Sequence, residues 1–383
     1  MEEKDTLVIG DFHFGTKTNS VQWLEEMENY FVEIENLIEA ASVHKVIFLG
    51  DLFDVRYSIN TLVGIKVKDM VREMIERNPV KSFNFLAGNH DYYSPKKEDM
   101  HYNAYEMVFG SEFMKEHDNV HFYTESPYLD EDGDLYLPWF FTEDKELFGQ
   151  TIEHFKGELI KRIFCHSDLC TWDIDMIKNM NGNPVYSGHI HTPWTDEEHK
   201  LYNLGAALPL NFNDVNDKRY VYLLRGTEIV RKFENEETYQ FYRYFNEEIF
   251  NLTKFDNCFV QLYIDKDLIN KAKYIEKVKE LKLNNPGISI RVVAIDKTMI
   301  NDDEVGIDMN QDIKKYIEKV KELKLNNPGI SIRVVAIDKL MINDDEVGID
   351  MNQDIKKYID SNIPKNLYSK YETIKEKIEE REK

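Results

Sequence analysis

Residues 86–93 read LAGNHDYY, a short apolar run that ends in Gly88-Asn89-His90-Asp91 and two tyrosines. Asn and Asp by themselves make a good turn, because their side chains hydrogen-bond the nearby backbone. A turn does not require the histidine. The stretch therefore predicts a strand that ends in a turn carrying chemically useful side chains, and similar stretches elsewhere in the chain become informative.

Four other stretches end an apolar run in residue types that bind metals. They are GDFH (10–13), GDLFD (50–54), CHSD (165–168) and GHIH (188–191). Each follows a predicted strand, and in open α/β sheets the loops that follow the strands converge at one edge. We therefore expect segments that are far apart in the sequence to meet at one site.

Each stretch taken alone has an ordinary explanation. A histidine in a turn is more often a surface residue, GHIH fits alternating strand residues, and Gly50-Asp51 fits a simple strand-to-turn junction. Five such stretches, all at strand ends, are poorly explained by coincidence.

Together the five stretches predict a site for two divalent ions. Mixed oxygen and nitrogen ligands suit manganese, iron or zinc better than magnesium or calcium. A carboxylate can bridge two metals about 3.5–4 Å apart, and such a pair supports in-line displacement at phosphorus. The candidate ligands are Asp11, His13, Asp51, Asn89, His166, His189 and His191.

Alternating strand and helix patterns over the first two thirds of the chain predict an α/β fold. Apolar spacing of three and four residues predicts one helix over 23–38, with Asn19 or Ser20 as its cap, and another over 63–75 that ends at Asn78-Pro79. Strands are predicted at 7–9, 45–49, 82–86, 120–123, 134–140, 162–166, 184–187, 201–204 and 219–224.

Composition narrows the class of protein. A hydrophobic content of 42% suits a globular protein. The chain has neither a signal-like start nor an apolar run of roughly 20 residues, and its three cysteines make no disulfide framework, so we expect a cytoplasmic protein with no membrane association. The net charge of −23 means that any DNA-binding surface needs local basic groups, metal ions or a partner.

Residues 274–315 recur at 316–357 with one change, Thr298 to Leu340. A natural duplication and an assembly artefact both explain such near-identity. Each copy is predicted as a helix, a turn, a strand and an acidic loop, and CFVQLYID (258–265) would begin a β-α-β unit.

We divide the chain into three parts. Residues 1–232 are predicted to be the catalytic domain, and residues 233–357 a linker and a smaller α+β cap domain that contains the duplication. Residues 358–383 predict an amphipathic helix, which either packs on its own domain or docks on a partner.

The order DxH, GDxxD, GNHD, a lone histidine and GHxH resembles the signature of the calcineurin-like metallophosphoesterases. Within that superfamily, GDLFDVR (50–56), LPW (137–139) and LGAALPLNF (204–212) look like the SbcD-type DNA nucleases, and most like the recombination endonuclease subunit of tailed phages. The resemblance extends to about residue 232, and the duplication departs from the family pattern. It implies a two-sheet αββα sandwich with a C-terminal cap domain and a terminal helix.

The resemblance also implies a role for each site residue. His90 would stabilise or protonate the leaving oxygen, and Asp54 is our candidate for orienting the His90 ring. Some SbcD-like nucleases carry a histidine at the position of Asp54. The implied ligands are Asp11, His13 and His191 for the first metal, Asp51 as the bridge, and Asn89, His166 and His189 for the second.

The implied function is that of a manganese-dependent DNA exonuclease and endonuclease subunit in recombination, repair and replication. Its cofactors would be two Mn²⁺ ions per chain, and its partners DNA, an SbcC-type coiled-coil ATPase and a second copy of the chain. Residues 57–71 are the candidate contact with that copy, although their apolar face fits a place in the core equally well. Its location would be the host cytoplasm if it is phage-encoded. A small-molecule phosphodiesterase or phosphatase and a non-catalytic scaffold are the alternatives.

Overall fold

The computed structural model describes residues 4–41, 43–215 and 217–295. Residues 296–383, with the second copy of the duplication and the predicted terminal helix, lie outside the described residues. The strands are β1 (Asp5–Ile9), β2 (Val43–Phe48), β3 (Ser82–Leu86), β4 (Val120–Tyr123), β5 (Tyr128–Leu129), β6 (Asp134–Leu137), β7 (Arg162–His166), β8 (Val185–Gly188), β9 (Trp194–Asp196), β10 (Leu201–Asn203), β11 (Tyr220–Arg225), β12 (Glu228–Glu234), β13 (Gln240–Phe245), β14 (Cys258–Asp265) and β15 (Ser289–Ile295). The helices are α1 (Thr16–Asn19), α2 (Val21–Ala40), α3 (Thr61–Arg77), α4 (Ala104–Val108), α5 (Gly110–Glu116), α6 (Phe140–Glu143), α7 (Lys145–His154), α8 (Ile174–Asn179) and α9 (Ala272–Asn284).

The strands form two large sheets and one small sheet. The large sheets have the orders β12-β11-β1-β2-β3-β4 and β5-β6-β7-β8-β10-β9. Strands β1 to β4 run parallel, as do β6, β7, β8 and β10. Antiparallel strands complete the edges. The parallel strands of each sheet therefore end at a common edge.

Alternate residues of the central strands face two different cores. Val8 of β1 packs in one cluster with Phe164 of β7, so this cluster lies between the two large sheets. Leu7 and Ile9 face the other way and pack with α2 and α3. Ile163 of β7 packs similarly with α7 and α8. The predicted two-sheet αββα sandwich is confirmed.

The two long helices lie where the sequence predicts them, and each extends two residues further at both ends. The hydroxyl of Ser20, rather than the side chain of Asn19, caps α2 by accepting from the Trp23 N–H at 3.4 Å. The Asn60 side chain caps α3. That helix ends just before Asn78-Pro79, because proline disfavours a helical conformation at the preceding residue.

The strand predicted over 134–140 is too long by three residues. β6 ends at Leu137 because Pro138 has no N–H for a ladder hydrogen bond. The Trp139 N–H donates instead to the Ala87 carbonyl at 3.1 Å, and the chain then enters α6. This departure ties the chain after β6 to the end of β3.

The third sheet has the order β13-β14-β15, and all its strands are parallel. Helix α9 connects β14 to β15, so the predicted β-α-β unit is present for the first copy of the repeat. Residues 233–250, interpreted as a linker, contain the end of β12 and all of β13. Phe241 and Phe259 of this sheet stack with Trp23 of α2. No helix within the described ranges is long and apolar enough to cross a membrane.

Candidate metal centre

All nine candidate site residues follow the carboxyl ends of parallel strands. The loops belong to β1, β2 and β3 of one sheet and to β7 and β8 of the other. The two sheets stack, so these five loops converge. In the first sheet, the loop after β1 carries Asp11 and His13, the loop after β2 carries Asp51 and Asp54, and the loop after β3 carries Asn89 and His90. In the second sheet, His166 is the last residue of β7, and the loop after β8 carries His189 and His191.

One group of ligand atoms comes from Asp11, His13 and His191, which lie within 4.8 Å of one another. The Nε2 atoms of His13 and His191 are 3.2 Å apart. Asp11 is fully buried, and its carboxylate accepts the His189 N–H at 2.9 Å. This hydrogen bond links the β1 loop to the β8 loop.

A second group comes from Asp51, His166 and His189, again within 4.8 Å. Asn89 completes it, since one terminal atom of its amide lies 3.0 Å from His166 Nε2 and 2.9 Å from His189 Nδ1. These are the residues that the sequence assigned to the second metal.

Asp51 lies between the two groups. Its Oδ2 is 3.6 Å from His13 Nε2 and 3.3 Å from His166 Nε2. Its Oδ1 accepts the His90 N–H at 2.7 Å, which fixes the plane of the carboxylate. One carboxylate oxygen is thus directed at both groups, as a bridging ligand requires.

The chemistry of these groups fits two cations. His166 Nδ1 donates to the Leu49 carbonyl at 2.8 Å, because a carbonyl can only accept. In neutral His166 the Nε2 lone pair therefore faces the Asp51 carboxylate, whose Oδ2 lies 3.3 Å away. Acceptors that face acceptors in a buried site need a positive charge between them. The donor set of imidazoles, carboxylates and one amide oxygen suits borderline divalent ions.

The pKa values show which of the histidines carries a proton in the metal-free protein. Burial disfavours charged His166, but the carboxylates of Asp51 and Asp11 outweigh burial and raise its pKa to about 9. Burial lowers the pKa of His189 and of His191 to about 4, and neighbouring imidazoles add to the effect. Near neutral pH, His189 and His191 are ready to bind metal, whereas His166 must first lose a proton.

Asp91 holds the GNHD turn in place, as expected from the sequence. Its carboxylate accepts from the Gly88 N–H at 2.9 Å and from the Phe53 N–H at 3.1 Å. The second bond joins the β3 loop to the β2 loop. Asp91 thereby fixes the position of Asn89 relative to Asp51.

Asp54 contacts His90 as expected, but through its backbone carbonyl and not through its carboxylate. His90 Nδ1 lies 2.5 Å from the backbone carbonyl oxygen of Asp54, so the backbone orients the ring. The Asp54 carboxylate instead approaches His13 Nδ1 at 3.3 Å, as an ion-pair contact rather than an aligned hydrogen bond. Asp54 thus supports a metal-ligand histidine through its side chain and His90 through its backbone.

Two glycines beside the ligands have a role that the sequence analysis missed. A Cβ on Gly88 would collide with the Asp51 carboxylate, and one on Gly188 would collide with the Asp11 carboxylate. The glycine that opens each GN and GH motif is therefore required by close approach of backbone and ligand. The repeated glycine before each polar group was the available signal.

Three candidate ligands have a left-handed backbone conformation. The φ angles are 56° at His13, 48° at Asp51 and 82° at His189. This conformation is unfavourable for residues with a Cβ and persists only where surrounding contacts impose it. Residues with such strain cluster at functional sites.

The match to a protein family agrees with this geometry. Residues 5–193 match the family model described as calcineurin-like phosphoesterase. No curated protein sequence matches the chain. A solved structure, the Pseudomonas putida nuclease MPE, is 13% identical, with 57% of this chain and 84% of that chain covered and a TM-score of 0.29. Residues 5–193, just under half of the chain, are therefore similar to the calcineurin-like phosphoesterases.

Proposed function

We propose that the chain is a Mn²⁺-dependent nuclease that hydrolyses phosphodiester bonds of DNA. The observation that carries the proposal is the pair of ligand groups that share Asp51 Oδ2. Two divalent ions bound there would supply Lewis acidity and a hydroxide nucleophile. Asp11, His13 and His191 would hold one ion, and Asn89, His166 and His189 the other.

We propose that His90 stabilises or protonates the leaving oxygen. Its Nδ1 must donate to the Asp54 carbonyl, so Nε2 is the atom at which a proton is held or moved. The His90 and His13 rings meet edge to face, with centroids 4.9 Å apart, which places His90 beside the first ligand group. Protonated at Nε2, His90 can donate to a developing oxyanion.

DNA is favoured as substrate by residues outside the ligand set. The stretches GDLFDVR, LPW and LGAALPLNF resemble those of SbcD-type nucleases. Two of these stretches meet in the structure. Arg56, the last residue of GDLFDVR, has its guanidinium 6.0 Å from the centre of the ring of Trp139, the last residue of LPW. A cation beside a phosphodiesterase centre favours a polyanionic substrate.

The net charge of −23 points to help from a partner. We propose that an SbcC-type ATPase supplies basic surface and loads DNA, in recombination, repair and replication, and that the chain works in the cytoplasm. We also propose a homodimer formed through α3, whose Leu62 and Ile65 side chains are 43% and 55% exposed. Exposed apolar side chains on one helix are typical of interfaces.

The test is cleavage of linear duplex and single-stranded DNA with and without Mn²⁺. The wild type, His90→Ala and the control His154→Ala, an exposed histidine on α7, are assayed together with a small aryl phosphodiester. We expect Mn²⁺-dependent DNA cleavage that fails only in His90→Ala.

Turnover of the aryl phosphodiester with intact DNA, also after an SbcC-type ATPase is added, would favour the small-molecule phosphodiesterase. Absence of bound Mn²⁺ in equilibrium dialysis would favour the non-catalytic scaffold. Either result would refute the nuclease.

A further inference from the structure

A cavity of about 460 Å³ opens beside the metal centre, and none of its lining residues is a candidate metal ligand. We name it the aromatic pocket. Its volume lies in the range typical of small-ligand sites. The lining residues that matter here are Arg56, Tyr57, Tyr93, His101, Tyr102 and Met107.

The rings of the aromatic pocket are unusually exposed. Tyr57, Tyr93 and Tyr102 are 69%, 52% and 58% exposed. Tyr57 and Tyr93 meet edge to face at 5.9 Å, and the His101 ring lies 3.9 Å from that of Tyr102. Four rings thus present open faces at one surface without contributing to a core. Such a concentration of exposed aromatic surface indicates a binding site.

The aromatic pocket is built on the loops that carry the metal ligands. Tyr93 comes three residues after His90, and its N–H donates to the Tyr102 carbonyl at 2.9 Å. On the other wall, Tyr57 comes three residues after Asp54. These positions fix the pocket relative to the metal centre.

Arg56 connects the pocket to the centre. It lines the pocket, and its guanidinium lies 2.5 Å from a terminal atom of the Asn89 amide. The planar guanidinium at this position can donate two hydrogen bonds to two oxygens of one phosphate. A nucleotide whose phosphate lies at the metal centre would therefore extend past Arg56, with its base at the tyrosines.

We propose that the aromatic pocket binds an unpaired nucleobase next to the scissile phosphate, an inference that rests on the proposed nuclease function. Base stacking on aromatic side chains is independent of sequence, because every base has a π-face. It also adds affinity without extra positive charge, which suits a chain with a net charge of −23. The site would select single-stranded or frayed DNA, since a paired base cannot enter.

The test compares a single-stranded dT oligomer with an abasic oligomer of the same length, in Mn²⁺. The variants are Tyr57→Leu and Tyr93→Leu, which keep apolar area but remove the π-face. The control is Tyr128→Leu, which changes a 49%-exposed tyrosine on β5. We expect kcat/KM for dT relative to the abasic oligomer to fall by about tenfold in each pocket variant and to stay unchanged in the control.

Three results would overturn the inference while leaving the nuclease intact. They are an unchanged dT preference, an equal loss on both oligomers, or dissociation of a dimer by the pocket variants in sedimentation velocity. The last would make the pocket an interface between copies of the chain. Failure of the wild type to cut either oligomer would instead refute the nuclease itself, and the inference with it.

Discussion

Replacing Gly88 by alanine should disable the metal centre through one methyl group. An alanine Cβ would lie against the Asp51 carboxylate and backbone nitrogen, with the carboxyl carbon at 2.8 Å. Carbon atoms in contact are ordinarily about 3.5–4.0 Å apart, so Asp51 or the Asn89 loop must move by about 1 Å. A displacement of that size at a catalytic centre costs about 100-fold in turnover. Overpacking should also destabilise the fold by about 1–3 kcal/mol.

The assay measures Mn²⁺ stoichiometry by equilibrium dialysis, hydrolysis of an aryl phosphodiester, and urea unfolding. Gly149→Ala is the matched control, since Gly149 lies inside α7 and its Cβ would meet nothing within 4 Å. That variant should gain about 0.5–1 kcal/mol and keep full activity. Two tightly bound Mn²⁺ ions and wild-type turnover in Gly88→Ala would refute the reasoning.

Three other variants and conditions probe the same structure. Mn²⁺ binding near neutral pH should release a proton, because His166 has a pKa of about 9 in the metal-free protein and must be neutral to bind; affinity should therefore weaken as pH falls below about 9. Calorimetry in buffers of different ionisation enthalpy measures this, and proton uptake would contradict it. Asp54→Asn should weaken Mn²⁺ binding about 10–100-fold by freeing the His13 ring, and an unchanged titration would show that the carboxylate is dispensable. Asp134→Ala should lower the free energy of unfolding by about 3–5 kcal/mol in urea, because buried Arg162 loses a bidentate partner; a loss under about 1 kcal/mol would argue against the pairing.

The convergence of the candidate ligands was predictable because all of them lie at or just after strand ends. A carboxylate after β1, another after β2 and GNHD after β3 share an edge for a topological reason, namely that parallel strands end together. The sequence could not show which atoms of Asp54 contact the neighbouring histidines. Its backbone carbonyl contacts His90 whereas its carboxylate contacts His13, and only the path of the loop decides this.

The fold was predictable where the period of the hydrophobic pattern and the length of the segment indicated the same type of element, as in α2, α3 and β1 to β3. It was not predictable at Trp139, where an apolar run continues past the end of a strand. Nor did the acidic and aromatic composition of 233–250 indicate β13, because its strand character comes from Phe241 packing against α2. Tertiary contact, rather than local preference, determines both segments.

The placement of β1 has a consequence for synthesis of the chain. Of the six strands of its sheet, β1 is made before the others, and it pairs on one side with β11, which ends at Arg225. At about 5–20 residues per second, a ribosome needs roughly 10–45 s to pass from β1 to the end of β11. During this interval one edge of the nascent β1 is open to mispairing or to a chaperone. The 42-residue duplication is translated only afterwards, so its addition leaves the order in which the catalytic strands emerge unchanged.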